Sequence, residues 1–114
     1  MQLEFSQIAR KKMKVLREYL SEEFGEKKSK EIMQDIKSSL ENLKEFPESG
    51  LEISKQYNID TDYHLLFRQH NYFIYRIEEE KIIVIQIFNE REDFMQKLFG
   101  LSGRTQESID FWGE

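Results

Sequence analysis

Tyr72-Phe73-Ile74-Tyr75-Arg76-Ile77, then Glu78-Glu79-Glu80, then Lys81-Ile82-Ile83-Val84-Ile85-Gln86-Ile87-Phe88 is a pair of aromatic and β-branched runs around an acidic triplet. Side chains of that kind fit a pleated, half-buried surface, and the charged triplet breaks the run, so the stretch reads as an antiparallel hairpin. A preceding run, Tyr63 to Arg68, turns into it through Gln69-His70-Asn71, which makes a three-stranded antiparallel meander. Alternation places Leu65, Phe67, Phe73, Tyr75, Ile77, Ile83, Ile85 and Ile87 on one face, expected to lie against helices. The other face, His64, Leu66, Arg68, Tyr72, Ile74, Arg76, Val84 and Gln86, is too polar for a second core and is expected to be an open binding surface.

Working towards the N-terminus, Leu51 to Asp62 has no clear period, and Asn58-Ile59-Asp60-Thr61-Asp62 is rich in turn formers, so this segment reads as a surface loop. Before it, Ala9, Met13, Leu16, Leu20 and Phe24 recur every three or four residues and form the stripe of a helix that Gly25 can close. Ile32, Met33, Ile36, Leu40 and Leu43 make a second stripe, ended by Pro47, which cannot supply a helical backbone donor. Two helices joined so closely form a hairpin whose stripes need a shared apolar floor, and the meander supplies one. Leu3 and Phe5 alternate with polar neighbours as a short first strand, and Ser6 after them is a natural helix N-cap. Towards the C-terminus, Asp93 to Phe99 reads as a short helix before Gly100. The expected organisation is one domain over residues 1–100 and a tail over 101–114, in which Arg104 to Glu114 is polar except for Ile109, Phe111 and Trp112.

The chain has 114 residues, 39% hydrophobic and 34% charged, with nine Phe and five Tyr, which is the make-up of a folded domain. It has no cysteine, which excludes disulfides, thiol nucleophiles and thiolate metal sites and suits a cytoplasmic location. The opening residues lack the apolar run of a secretion signal, and no stretch approaches a membrane span, so no membrane partner is expected. A formal net charge of −5 offers no broad basic stripe for nucleic acid, although a few clustered arginines can still hold a phosphate. No cofactor motif is present, and His64 and His70 lack metal-ligand spacing.

The helix exit Leu43-Lys44-Glu45-Phe46-Pro47-Glu48-Ser49-Gly50, followed by Tyr72-Phe73-Ile74-Tyr75-Arg76-Ile77 and an aliphatic last strand, resembles the RelE/ParE family of toxins from bacterial toxin–antitoxin pairs. The likeness covers about residues 2 to 99. It implies a small α+β fold with an N-terminal strand, a helical hairpin, the meander and a short C-terminal helix, in a four-stranded, mainly antiparallel sheet. It also implies an antitoxin partner that wraps the sheet and helices. RelE-like members cut messenger RNA on the ribosome, and ParE-like members poison DNA gyrase.

RNA cleavage by a neighbouring 2′-hydroxyl needs a proton acceptor, a proton donor and cations to offset charge on the phosphate. In the RelE-like pattern Arg68 matches a basic position and Arg91 the arginine beyond the last strand, which together would clamp a phosphate. Tyr72 stands where another arginine is common, and His64 and Leu66 stand where lysines are common. Either His64 and Glu90 have taken over proton transfer, with Tyr72 stacking on a base, or the cleavage chemistry is absent. The plainer reading of each arginine is a surface ion pair among 22 acidic residues. The leading expectation is ribosome-dependent mRNA cleavage. The alternatives are a gyrase inhibitor that cuts nothing and a non-toxic antitoxin-binding module.

Overall fold

Ser6 joins sheet and helix at one point: its hydroxyl accepts from Ala9 N at 3.0 Å as an N-cap and donates to the Ile85 carbonyl at 2.7 Å. The computed structural model describes residues 1–100, so the expectation for the tail, residues 101–114, lies outside them. β1 (Gln2–Phe5) precedes the helical run α1 (Gln7–Asn42). Within α1 only Gly25 leaves helical geometry, at φ 83 and ψ 166, a conformation that glycine adopts without a Cβ penalty. Met13 and Met33 pack on one core although an unbroken helix would separate them by about 30 Å, so the two arms fold back on each other. The expected helical hairpin is present, hinged on one residue.

Leu51–Asp62 departs from the expected loop. β2 (Leu51–Glu52) adds a fifth strand, pairing Leu51 with Leu65 and Glu52 with His64, and α2 (Ile53–Tyr57) follows, closed by Asn58 in the left-handed region. Ile53 is fully buried. β3 (His64–Arg68), β4 (Asn71–Glu78) and β5 (Lys81–Asn89) form the meander, and α3 (Phe94–Phe99) starts at Asp93, whose carboxylate accepts from Gln96 N at 3.1 Å. The sheet order is β1-β5-β4-β3-β2, with β1 parallel to β5 and the rest antiparallel. Gln69 and His70, at φ 51 and 64, form the two-residue turn between β3 and β4, where two positive φ values match the strand twist. Among the described residues no helix is long and apolar enough to cross a membrane.

The assignment of residues to faces is corrected in two strands. The helix-side core holds Ala9, Ile36, Leu40, Leu43, Phe73, Tyr75, Ile82, Val84 and Ile87, with Leu66 and Ile77 beside it. Phe73, Tyr75, Ile77 and Ile87 therefore face the helices as expected, but Leu66 takes the place of Leu65, and Ile82 and Val84 that of Ile83 and Ile85. Register explains this, because cross-strand partners share a face and Leu66 lies opposite Phe73, as Val84 lies opposite Tyr75. A bulge then intervenes: Tyr75 pairs with Val84 but Ile74 with Gln86, so Ile85 has no partner and the phase of β5 reverses before Ile87.

The second face is not an open surface. Ile53, Leu65, Ile74, Phe88 and Phe94 form a second buried cluster there, flanked by Tyr63, Tyr72, Met95, Leu98 and Phe99. The two short helices α2 and α3 supply Ile53 and Phe94, so this part of the face is a second core, while Phe67 beside it stays 49% exposed.

Candidate functional site

Lys11, Lys12, Val15, Leu16, Tyr19, Leu20 and Phe24 recur at helical spacing along the first arm of α1, so they share one side of it. With the β3–β4 turn (Gln69, His70, Asn71) and the exit of β5 (Ile87 and Asn89 to Glu92) they line a groove of about 850 Å³. Lys12 anchors the arm to the sheet: its Nζ donates to the Ile87 carbonyl at 2.8 Å and stands 4.3 Å from the Phe88 ring centre. Burial lowers the Lys12 pKa, the Glu92 charge works against that, and Lys97 adds to it. At the rim, Glu90 N donates to the His70 carbonyl at 2.8 Å, and the His70 ring meets the Glu90 carboxylate at 2.9 Å. Asn89 N donates to Glu92 at 2.9 Å, Arg91 N donates to the Asn89 side chain at 3.0 Å, and Lys97 pairs with Glu92 at 3.1 Å.

The five residues singled out from the sequence are not brought together. Only Glu90 and Arg91 line the groove. Arg68 lies on the helix side, where Nε and Nη2 each reach an Asp35 carboxylate oxygen at 2.7 Å. The geometry is bidentate, and the side chain is committed to the second arm of α1. His64 also faces the helix side, with its ring stacked on Tyr75 at 5.2 Å between centroids and Nδ1 3.2 Å from the Asp62 carbonyl. Tyr72 lies on the opposite face, 4.9 Å from the Phe67 ring and 4.8 Å from Phe94. The picture of two arginines grouped on one outer face is thus corrected; the error follows from the one-residue phase of β3.

His64 has the company that comes nearest to a cation site: its ring and the Glu48 and Glu52 carboxylates offer ligand atoms within 4.8 Å of one another. Glu52 is shared with Lys55 at 3.3 Å, and these residues are not buried. Sequence reading passed over His70 and the apolar groove residues Val15 and Tyr19. The signal for Val15 and Tyr19 was their spacing of four on the first arm; His70, a turn residue, had none.

Asp35 also accepts from Gln69 Nε2 at 2.8 Å, so it ties the β3–β4 turn to the helices. The hydrogen bonds from Arg68 and then Gln69 hold its carboxyl at about 2. An unfolded aspartate titrates near 3.9, and a carboxyl depressed on folding lends stability above that value and loses it as pH falls through the folded one. The contribution is therefore complete at neutral pH and disappears between about pH 4 and 2. Asp35→Asn is expected to flatten the acid limb of a urea-midpoint profile in that window; an unchanged limb would mean that the pair contributes nothing. The effect is small, because the Arg68 side chain is 50% exposed.

A solved structure described as the chromosomal ParDE TA system from P. aeruginosa is similar to this chain, with a TM-score of 0.64 at 15% identity over 78% of this chain and 95% of that one. At that identity it speaks for the fold alone. No curated protein matches the chain. Residues 3–94 match the family described as the ParE toxin of type II toxin-antitoxin system, parDE. A match over that much of a chain of 114 residues is decisive: this chain belongs to the ParE toxin family of type II toxin–antitoxin systems.

Proposed function

We propose that this chain is a toxin that binds DNA gyrase and blocks it without cutting nucleic acid, and that a cognate antitoxin neutralises it. One observation carries the choice against RNA cleavage: the groups that such chemistry would use stand in three separate settings. Arg68 is engaged by Asp35, His64 is stacked on Tyr75, and Tyr72 is packed between Phe67 and Phe94. General acid–base catalysis needs its donor and acceptor within hydrogen-bond reach of one phosphate, and an arginine already paired bidentately has little charge left to offer one. Inhibition by surface binding asks only for shape, exposed apolar area and charge at a rim, and the groove provides these. Family membership supports the gyrase target over the ribosome, since ParE-like members act on gyrase.

The test is a pair of assays on the purified chain. Supercoiling by gyrase is expected to fall with added toxin, while ribosome-bound transcripts stay intact. Cut transcripts with unaffected supercoiling would overturn the proposal and return Arg91, Glu90 and His70 to consideration as a cleavage site. Full activity in both assays, with intact antitoxin binding, would leave the non-toxic binding module.

A further inference from the structure

We propose that Glu48, Glu52 and His64 form a divalent-cation site that takes zinc and ties the helix exit to the sheet. The two histidines lack ligand spacing along the chain, but the pairing of β2 with β3 sets Glu52 directly opposite His64. The 3-10 turn Pro47–Ser49 brings Glu48 to the same pair. One oxygen from each carboxylate and one ring nitrogen lie within 4.8 Å of one another. Zinc bonds to carboxylate oxygen and imidazole nitrogen are about 2.0–2.2 Å long, so one ion reaches ligand atoms up to about 4.2 Å apart. Closing the remaining gap takes a movement of less than about 1 Å, which the side chain of Glu48 is free to make because it is exposed.

The chemistry of the three groups is the second argument. His64 Nδ1 is 3.2 Å from the Asp62 carbonyl, which can only accept, so the neutral ring carries its proton on Nδ1 and keeps a lone pair on Nε2. A ligating histidine is ordinarily oriented by such a bond from its other nitrogen. Ring and carboxylates then all offer lone pairs, and a cation is what satisfies such a set. The scaffold beneath is rigid. His64 stacks on Tyr75 at 5.2 Å between centroids, and the Tyr75 hydroxyl donates to the carbonyl of Pro47, the residue before Glu48. Glu48 has no ion-pair partner among the described residues, and Glu52 has Lys55, at 3.3 Å with a side chain 79% exposed. So exposed a pair is worth little and yields to a dication. Two carboxylates balance the charge of zinc, and a mixed nitrogen and oxygen set suits it. The site does not depend on which target the toxin binds.

Calorimetric titration of the full-length chain with zinc chloride is the test. One zinc per chain is expected, with a rise in melting temperature that EDTA reverses. Glu48→Gln and, separately, His64→Ala are expected to weaken binding at least about tenfold, the least that loss of even an outer-shell partner costs. Glu48 is exposed, so its variant reads the ion and not the fold, and far-UV circular dichroism should not change. Lys55→Ala, which frees Glu52, is expected to tighten binding by up to about fivefold. His70→Ala removes the other histidine of the chain and should leave the affinity as it is. In long-range proton–nitrogen spectra, zinc is expected to shift His64 Nε2 while Nδ1 stays protonated. Absence of saturable zinc binding overturns the proposal, as does binding that either Glu48→Gln or His64→Ala leaves intact. Binding that His70→Ala removes also overturns it and moves the ion to His70 and Glu90. The titration reads the ion alone, so its failure is distinct from failure of the gyrase assay.

Discussion

Ile53→Ala is expected to lower the free energy of unfolding by about 2–5 kcal/mol, the range for truncating a buried aliphatic side chain in a site that cannot collapse. Ile53 has no exposed surface and packs with Leu65, Ile74, Phe88 and Phe94, which come from three strands and α3. Its backbone is fixed as well, with N–H donating to the Tyr63 carbonyl at 3.2 Å. No nearby loop is free to fill the space, because the cluster is closed between the sheet and two short helices. Urea unfolding gives the measurement, with the midpoint falling and the slope unchanged. Lys55→Ala in the same helix, where the side chain is 79% exposed, should stay within about 0.5 kcal/mol. Equal effects at the two positions would mean that the second core does not exist and that Leu51–Asp62 is the loop its composition describes.

The second large effect is at Gly50, where alanine is expected to cost about 1–3 kcal/mol through overpacking. The backbone there is ordinary, at φ −81 and ψ 175, so conformational freedom is not the reason. A Cβ would overlap the Tyr75 hydroxyl and come within 2.9 Å of ring carbons Cε1 and Cζ. Tyr75 cannot yield, since it is fully buried and its hydroxyl donates to the Pro47 carbonyl at 2.8 Å. Burial pushes that hydroxyl up to about 12, so it remains protonated and a donor at neutral pH. Tyr75→Phe alone should cost about 0.5–1.5 kcal/mol for the lost hydrogen bond. Combined with Gly50→Ala it should cost less than the sum of the two, because removing the hydroxyl relieves the clash. Strict additivity in this cycle would show that the close approach carries no energy. The helix exit and the middle of β4 are joined at this contact, which holds the second arm of α1 at its angle to the sheet.

Much of the architecture was legible in the chain. The stripes Ala9-Met13-Leu16-Leu20 and Ile36-Leu40-Leu43 are in the core as read, Gly25 breaks the helical run and Ser6 caps it, whereas the run ends at Asn42, ahead of Pro47, which instead opens the short 3-10 turn Pro47–Ser49. Phe24 is the exception, placed by period in the buried stripe and found half exposed at the groove's end. The phase of β3 was not legible, because Leu65-Leu66-Phe67 has apolar side chains on both sides and either alternation satisfies a one-sided pattern. A single-residue choice there carried His64 and Arg68 to the wrong face of the sheet. The bulge at Ile85 was hidden for a similar reason: in Ile82-Ile83-Val84-Ile85 every residue is β-branched or aliphatic, so nothing local marks the one without a partner.

What the order of residues determined by itself is the set of elements and their ends, since caps, breakers and helical period act between neighbours a few positions apart. What only the tertiary structure decided is which side chains meet. Asp35 takes up Arg68 across 33 positions of sequence, α2 and α3 close a face that alternation left open, and the groove exists only once the first arm of α1 lies beside the β3–β4 turn. The physical reason is that a side chain's partner is fixed by strand register and by what covers the sheet, both of which are settled by burial summed over the whole molecule and not by any segment alone.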